Sequence, residues 1–372
     1  MPLSKIVAKS IKDDTITTDQ IADNSVHGRR NFIINGAMQV AQRGTSETSV
    51  TTSGYRNACD RFRCNGNNGT WTISQDTNAP DGFSNSFKML LTATETISST
   101  SYWAVEQRIE GQNLQGLAYG TSSAKTVTVS FYVKSNVTGT YCLNLYQDDG
   151  AKNFPKTYTI DSAGTWERKT ISFGGDTSTA LDNDNASSLR TIFLVVAGSG
   201  YNSGTPGSKG AYADATFAAG HTAQIDAVND YWQITGLQLE VGDKATPFEH
   251  RSYGEELALC HRYFEKVYLN SYSCMLSAEN SQQAKGGVIR FSEKRANPSI
   301  TFPTIGTGSN QLAYTEKTGS YVTQGSTFRS TQTKTQMSIF NNYADGFSGM
   351  DAGENIMLYV NGNCEIDVKA EL

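Results

Sequence analysis

Charge is scarce in this chain. Asp, Glu, Lys and Arg make up 18% of its 372 residues, and a net charge of -5 leaves no broad basic surface to attract nucleic acid or anionic lipid. Histidine falls to 4, and His27, His221, His250 and His261 lie outside metal-ligand spacing of one another and of any cysteine pair, so neither a metal nor another cofactor is expected. The cysteines Cys59, Cys64, Cys142, Cys260, Cys274 and Cys364 include no C-x-x-C pair, and each sits in or beside an apolar run, which points to reduced core thiols. There is no G-x-S-x-G, Walker loop or H-E-x-x-H, so no nucleophile with its base can be nominated. No run approaches the ~18 apolar residues of a membrane span, and the start MPLSKIVAKSIKDD lacks the apolar region of a signal peptide; the expectation is assembly in a reducing cytoplasm.

What is present is glycine, 34 residues against 7 prolines, with Ser, Thr and Asn in short runs throughout. That is an all-β composition with many turns. Strand candidates fall at Phe32 to Val40, Thr70 to Gln75, Ser86 to Ala93, Trp103 to Ile109, Lys125 to Lys134, Thr140 to Tyr146, Thr157 to Ile160, Trp166 to Phe173, Arg190 to Ala197 and Tyr231 to Val241. Val127, Val129, Phe131 and Val133 alternate with polar neighbours, one face in and one out. This spacing over residues 31–250 suits a jelly-roll β-sandwich. Gly198 to Gly220 is long and rich in small residues, so it is either a mobile surface loop or one ordered by a neighbouring subunit.

The organising stretch is YWQITGLQLEVGDKATPFEHRSYGEELALCHRYFEKVY, Tyr231 to Tyr268. Its apolar positions change parity between Ile234 and Leu237, and Gly236 lies at the switch, so a bulge is expected there. Leu257, Cys260, Phe264 and Val267 carry the spacing of a helix seam, which predicts a helix over Glu255 to Tyr268 within a linking segment, 251–269. Residues 270–372 then read as a smaller C-terminal β-sandwich ending in the alternation Cys364, Ile366, Val368, Ala370. Before the sandwich, residues 1–30 place Ile6, Ile11, Ile16, Ile21 and Val26 at every fifth position. A lone chain cannot bury so thin a stripe, so the segment is either extended and disordered or wound with copies of itself and docked on a partner, and the fixed spacing of five repeats favours the second.

The strings ITGLQLEVGDKATPFE and EELALCHRYF resemble a segment of tail-fibre and prophage tail proteins of bacterial viruses, particularly marine and cyanobacterial ones. NFIINGAMQVAQRGT at Asn31 to Thr45, DRF at Asp60 to Phe62 and SFYVKS at Ser130 to Ser135 resemble other strings of that family. The resemblance implies a virion tail fibre: a homotrimer, assembled in the bacterial host cytoplasm, attached through residues 1–30 to a tail adaptor, nozzle or baseplate protein, and binding a host surface glycan or outer-membrane receptor. A capsid decoration or head fibre protein is the alternative, and a polysaccharide hydrolase a more distant one.

For the hydrolase, two carboxylates about 5 to 10 Å apart would be needed. Asp148 with Asp149, Asp182 with Asp184, and Asp345 with Asp351 or Glu354 all lie among Asn and Gly, and a catalytic acid wants an apolar pocket. The expectation is therefore a non-enzyme, with Asp182 to Asn185 a structural turn. Sugar rings stack on aromatic faces while short polar side chains take their hydroxyls. On that ground Tyr314, Tyr321, Tyr343, Asp345 and Phe347 are the receptor-binding candidates, in the part farthest from the particle if the chain runs outward from its leader. Leu257, Cys260, Phe264 and Val267 join the leader residues as candidates for trimer contacts.

Overall fold

The computed structural model describes residues 29–269, 274–280, 283–302, 311–315, 321–322, 329–341, 355–361 and 364–372. Two sheets face each other across the core of residues 29–250. Their strands are β1 (Ser46–Val50), β2 (Gly54–Tyr55), β3 (Arg63–Gly66), β4 (Thr70–Asp76), β5 (Ser86–Ala93), β6 (Tyr102–Glu110) and β7 (Val127–Ser135). Then come β8 (Gly139–Gln147), β9 (Lys152–Asn153), β10 (Pro155–Ile160), β11 (Glu167–Phe173), β12 (Ser187–Ala197), β13 (Gly210–Ala211) and β14 (Tyr231–Val241). One sheet runs β1-β4-β5-β14-β7-β11; the other runs β13-β9-β8-β12-β6-β3-β2, with β10 beside β8. Trp71, Trp103, Phe131, Phe193 and Trp232 fill the space between them, each 1% exposed or less. Burying an aromatic side chain of this kind is worth about 1.5 to 3 kcal/mol, so this layer dominates the sandwich's stability.

The centre of the first sheet is β14, buried on both faces. Against β7 it pairs Thr235 with Tyr132 and Gln238 with Ser130, three residues against two, and Gly236 takes φ +60° in the extra position. The expected bulge is there, and it has a purpose. β5 pairs only with Tyr231 to Ile234, and beyond the bulge its place is taken by the chain at Asn31 to Gly36, where Phe32 N–H donates to Leu239 O (2.9 Å) and Leu237 N–H to Gly36 O (3.0 Å). A Cβ at Gly36 would stand 2.2 Å from Leu237 O, so only glycine permits this approach.

Phe32 to Val40 is therefore not the strand its composition suggests. Asn35 (φ 61°) and Met38 (φ 57°) are left-handed, and the Asn35 side chain donates to Val40 O (2.8 Å) and Asp60 O (3.0 Å) while accepting from Val40 N–H (2.9 Å). This polar knot offers the backbone partners that a ladder would otherwise supply.

After β14 the stretch Gly242 to His250 folds back as a strap over the outer face of the same sheet. Glu240 accepts from Thr246 N–H (2.8 Å) and Thr246 Oγ1 (2.6 Å), and Gln238 Oε1 accepts from Glu249 N–H (2.8 Å). Glu249 Oε2 in turn accepts from the backbone N–H groups of Arg30 (2.8 Å) and Asn31 (2.7 Å), so the chain arrives at and leaves the sandwich side by side.

The linking helix α1 spans only Tyr253–His261, opened by a capping box between Ser252 and Glu255. Its predicted extension to Tyr268 is wrong. Phe264–Leu269 is β15, paired antiparallel with the final strand β24 (Cys364–Lys369). A run holding Phe264, Val267 and Tyr268 beside a strand edge takes the ladder over the helix, and the 3,4,3 spacing that suggested a seam is accidental. Cys260 (0% exposed) and Phe264 (1%) are consumed inside this chain, Leu257 and Val267 are half-buried, and no common stripe joins them.

The C-terminal unit thus starts at Phe264, inside the segment expected to link. Its strands are β15, β16 (Cys274–Asn280), β17 (Gln283–Arg290), β18 (Ser299–Thr301), β19 (Gln311–Thr315), β20 (Tyr321–Val322), β21 (Arg329–Gln332), β22 (Gln336–Asn341), β23 (Asn355–Asn361) and β24, arranged as β15-β24-β18 and β20-β19-β23-β16-β17-β22-β21. The unit is fastened to the sandwich by ion pairs of Glu371 with Arg43 (2.7 Å) and Arg61 (2.8 Å) and by Arg295 Nη1 donating to Asn185 O (2.8 Å), while Arg262 at the end of α1 pairs with Glu110 (2.7 Å).

Candidate functional site

On the outer face of the second sheet, the antiparallel register lays side chains in rows across the strands. One row runs Arg63, Glu106, Ile192, Asn144, and the next Asn65, Ala104, Leu194, Cys142. The long segment between β12 and β14 folds over the second row: Phe217 and Ala218 pack on Ala104, Cys142, Ile192 and Leu194, a small core of its own. So Gly198 to Gly220 is ordered by its own chain. It covers one end of the sheet face and leaves the other open.

The opening is a groove of about 260 Å³ whose lining includes Tyr102, Glu106, Tyr146, Arg190, Tyr201 and Tyr212. Its walls are aromatic. Tyr102 meets Tyr201 at 5.2 Å between ring centroids, Tyr146 meets Tyr212 at 5.8 Å, and Phe217 (8% exposed) closes the base against Tyr212 at 6.1 Å. Burial raises the hydroxyl pKa of Tyr102, Tyr146 and Tyr201, and for Tyr212 burial is reinforced by its bond to Asp214. All four rings therefore stay neutral phenols, with apolar faces and a polar tip.

The floor holds charge. Glu106 Oε1 accepts from Arg63 Nη1 (2.8 Å), Arg108 Nε (3.0 Å) and Arg108 Nη2 (2.9 Å), while Oε2 is buried without a donor. Among the described residues Glu106 is the one carboxylate with a buried oxygen in that condition. Arg190, whose charge burial opposes, is nonetheless held above its ordinary pKa by Asp148, which takes its Nε (2.9 Å) and Nη2. Its remaining nitrogen, Nη1, lies 3.9 Å from Glu106 Oε2.

A larger cavity of about 750 Å³ lies between the sandwich and the C-terminal unit, but the charged side chains lining it are engaged with one another. Arg43 pairs with Glu371, Lys369 with Asp367, and Arg295 Nε donates to Ala370 O (2.8 Å). Such a cavity presents a ligand with bonds already made.

The residues nominated from sequence fall elsewhere. Ile6, Ile11, Ile16, Ile21 and Val26 lie outside the described residues, as do Tyr343, Asp345 and Phe347. Tyr314 and Tyr321 sit on the paired strands β19 and β20, opposite Val322 and Thr315. Of the acidic pairs, Asp148 is taken by Arg190 and by Ser187 Oγ (2.6 Å), and Asp149 accepts from Asp182 N–H (3.0 Å). Asp184 caps Ala186 N–H (2.9 Å), a structural turn as expected. All five described thiols, Cys59, Cys64, Cys142, Cys260 and Cys364, are free and buried, and burial raises each pKa. The groove was missed because Tyr201, Tyr212 and Phe217 sit in a segment without strand pattern. Their one signal was three aromatics among Gly, Ser and Ala.

No family model matches the chain, and no curated protein matches it. Solved structures similar to it include the enzymatically active domain of bacteriophage CBA120 tailspike protein 4, with TM-score 0.31 and 11% identity over 57% of this chain and 21% of that one. A putative sugar binding protein from Bacteroides thetaiotaomicron aligns with TM-score 0.33 and 12% identity, over 57% of this chain and 100% of that one. A family 11 carbohydrate-binding module of a Clostridium thermocellum cellulase aligns with TM-score 0.25 and 14% identity, over 56% and 99%.

Proposed function

We propose that this protein is a non-catalytic subunit of a bacteriophage tail fibre that binds a host surface glycan in the groove on the outer face of its second sheet. The observation that carries the glycan reading is the groove itself: tyrosine rings stand as walls over a floor that combines a guanidinium with an unsatisfied carboxylate oxygen. Pyranose rings offer apolar C–H faces and a rim of hydroxyls, and this lining complements both. The virion reading is supported by the strings at Asn31 to Thr45 and Ile234 to Glu249, whose places in the structure are the polar knot and the strap.

Attachment is assigned to residues 1–30, and the homotrimer now rests on the leader repeat and the family resemblance, since Cys260 and Phe264 are buried within one chain. Arg30 and Asn31 leave the sandwich beside Glu249, next to the C-terminal unit's junction. The C-terminal unit is thus not at the opposite end from the leader's root, and the sandwich groove is placed as well as any surface to meet a cell.

The test is adsorption of the full-length protein to host cells before and after enzymatic removal of their surface polysaccharide. Loss of adsorption is expected, and adsorption that survives removal would sink the glycan reading. Light scattering that returned one chain's mass, 40.4 kDa, would remove the trimer.

A further inference from the structure

We infer that the cover from Gly198 to His221 is an acid-opened wall of the groove, with His221 as its catch: when that ring takes a proton, the cover lifts from the sheet and the bound glycan leaves. This rests on the glycan reading above and adds how release is switched.

The catch sits where the chain changes layers. Phe217 and Ala218 belong to the small cluster on the outer face of the second sheet, whereas Ala223 and Ile225 belong to the main core between the sheets. His221 lies between the two, 0% exposed, just after Gly220 (φ +78°) turns the chain. Its backbone is held: its N–H donates to Ala218 O (2.9 Å), its O accepts from Asn202 Nδ2 (3.1 Å), and the N–H groups of Thr222 and Ala223 both donate to Thr140 O (2.9 Å). Its ring is not, since Nδ1 and Nε2 are both buried without a hydrogen-bond partner. A second N–H and a full charge on that ring would have nothing to meet them, and a buried charge without a partner is far more costly than a buried neutral group.

Nothing nearby compensates. The ring meets Tyr141 of β8 edge-on at 5.6 Å, and burial pushes that phenol up to about 12, so it stays neutral. The Ala223 backbone favours the charged ring slightly without completing a bond, and no Asp, Glu, Lys or Arg side chain acts on it. The proton is therefore bound when the ring reaches water, and the ring comes out with the segment that it ends.

That segment carries much of the groove. Tyr201, Tyr212 and Phe217 are three of the five aromatic rings that line it, and only Tyr102 and Tyr146 stay on the strands. The cover's other ties to the sandwich withstand mild acid: Asn144 Nδ2 to Phe217 O (2.8 Å), Asn153 Nδ2 to Ala213 O (3.1 Å), and Lys209 facing Asp176 (3.7 Å), whose carboxyl keeps its charge down to about 2. Asp214 bonds Tyr212 within the cover itself. With a pKa of 6.5 in the open form and about 4 in the closed one, opening takes up a proton, so its equilibrium constant rises by about 20-fold from pH 7 to pH 5.

The test joins hydrogen exchange of the full-length protein at pH 7 and pH 5, corrected for intrinsic rates, with the rate at which labelled protein leaves host cells at the same two pH values. Amides of the cover should exchange faster than those of β14 at both, losing about 20-fold in protection at pH 5, and release should quicken by the same factor. His221→Phe should hold both quantities at their pH 7 values. Cover amides as protected as those of β14 at pH 5 would overturn the inference, and this measurement on the parent chain decides even if the variant fails to fold. An acid response that His221→Phe retains would overturn it too. A cover that opens while release stays unchanged would separate the glycan from the cover and strike the switch. Protein that adsorbs at neither pH would sink the glycan reading, and exchange alone would then uphold or strike the catch.

Discussion

The two outer faces of the sandwich are both covered by a segment that the chain lays across them, yet they are finished differently. On the first sheet the strap Gly242 to His250 is held at many points: Thr128 Oγ1 donates to Gly242 O (2.7 Å), Ser172 Oγ to Asp243 O (2.9 Å), Arg168 to Thr246 O (3.1 Å), and both carboxylate oxygens of Glu240 are occupied. On the second sheet the cover from Gly198 to His221 packs Phe217 and Ala218 on the strands and is tied down by Asn144 Nδ2 to Phe217 O (2.8 Å), Asn153 Nδ2 to Ala213 O (3.1 Å) and Tyr212 N–H to Ala151 O (2.7 Å), and it stops short of Glu106, one of whose oxygens is left without a donor. A polar group that the chain could satisfy and did not is a place where something else is expected to bind. The first face is the more fully fastened, with Thr235 Oγ1 left without a partner beside the bulge, and the second is where the proposed site lies.

Breaking the first face should cost stability most. Gly36→Ala would drive a Cβ to within 2.2 Å of Leu237 O, and because the obstacle is backbone at a bulge, little can yield. Overpacking of this kind costs about 3 kcal/mol or more, so chemical denaturation should show a clear drop in midpoint. A variant as stable as the parent would mean that the segment Asn31 to Gly36 does not sit against β14.

The cover of the second face has its own weak point, His221, which is fully buried edge-on to Tyr141 at 5.6 Å. Burial lowers its pKa from 6.5 to about 4, so the neutral ring is the folded form. The unfolded chain binds the extra proton; stabilisation is complete above about 6.5 and is lost as pH falls toward 4, by about 3 kcal/mol in all. Asp176, which Lys152 and Ser178 hold at about 2 against its burial, would act below that window, from 3.8 downward. Unfolding measured from pH 7 to pH 4 should fall along this curve, and His221→Phe should flatten it; an unchanged curve would assign the acid sensitivity elsewhere.

Much of this architecture was legible in the sequence, and the failures have causes. Ser86 to Ala93 and Tyr231 to Val241 were read to the residue because alternation and a glycine at the parity switch leave one solution. The same arithmetic failed at Phe264 and Val267, where tertiary pairing with β24 outweighed a helical spacing, and at Phe32 to Val40, where Asn35 side-chain bonds replaced a ladder. The groove was the least legible part. Its floor is set by strand register, which brings Glu106 to Ile192 and Arg63 across gaps of 86 and 43 residues, and no local pattern encodes that.

A milder break of the first face is Glu240→Ala, which frees Thr246 and one amide hydrogen of Gln238 (2.8 Å) beneath the strap. Hydrogen bonds to a charged group are worth about 1.5 to 3 kcal/mol each in context, and water can enter at the strap's edge, so a loss of about 2 kcal/mol is expected. Adsorption to cells should be unchanged, because the strap and the groove lie on opposite faces. Reduced adsorption at full stability would show that the first face also binds.

The smallest stability effect and the sharpest functional one should come from Tyr212→Ala. The ring is 46% exposed, touches Tyr146 and Phe217 by its edge and face, and sits at the rim of the groove on the segment that covers the second sheet. Surface substitutions away from special features move stability by about 0.5 kcal/mol or less, so the unfolding midpoint should hardly shift. A sugar ring that loses an aromatic wall loses about 1 kcal/mol of contact, close to a tenfold change in affinity. If the proposed fibre carries several copies of the chain, effective concentration multiplies that loss, and adsorption should fall by more than the affinity of one chain does. The reverse result, a destabilised protein that still adsorbs, would make Tyr212 part of the cover rather than of the site, and the two faces would then differ only in how they are fastened.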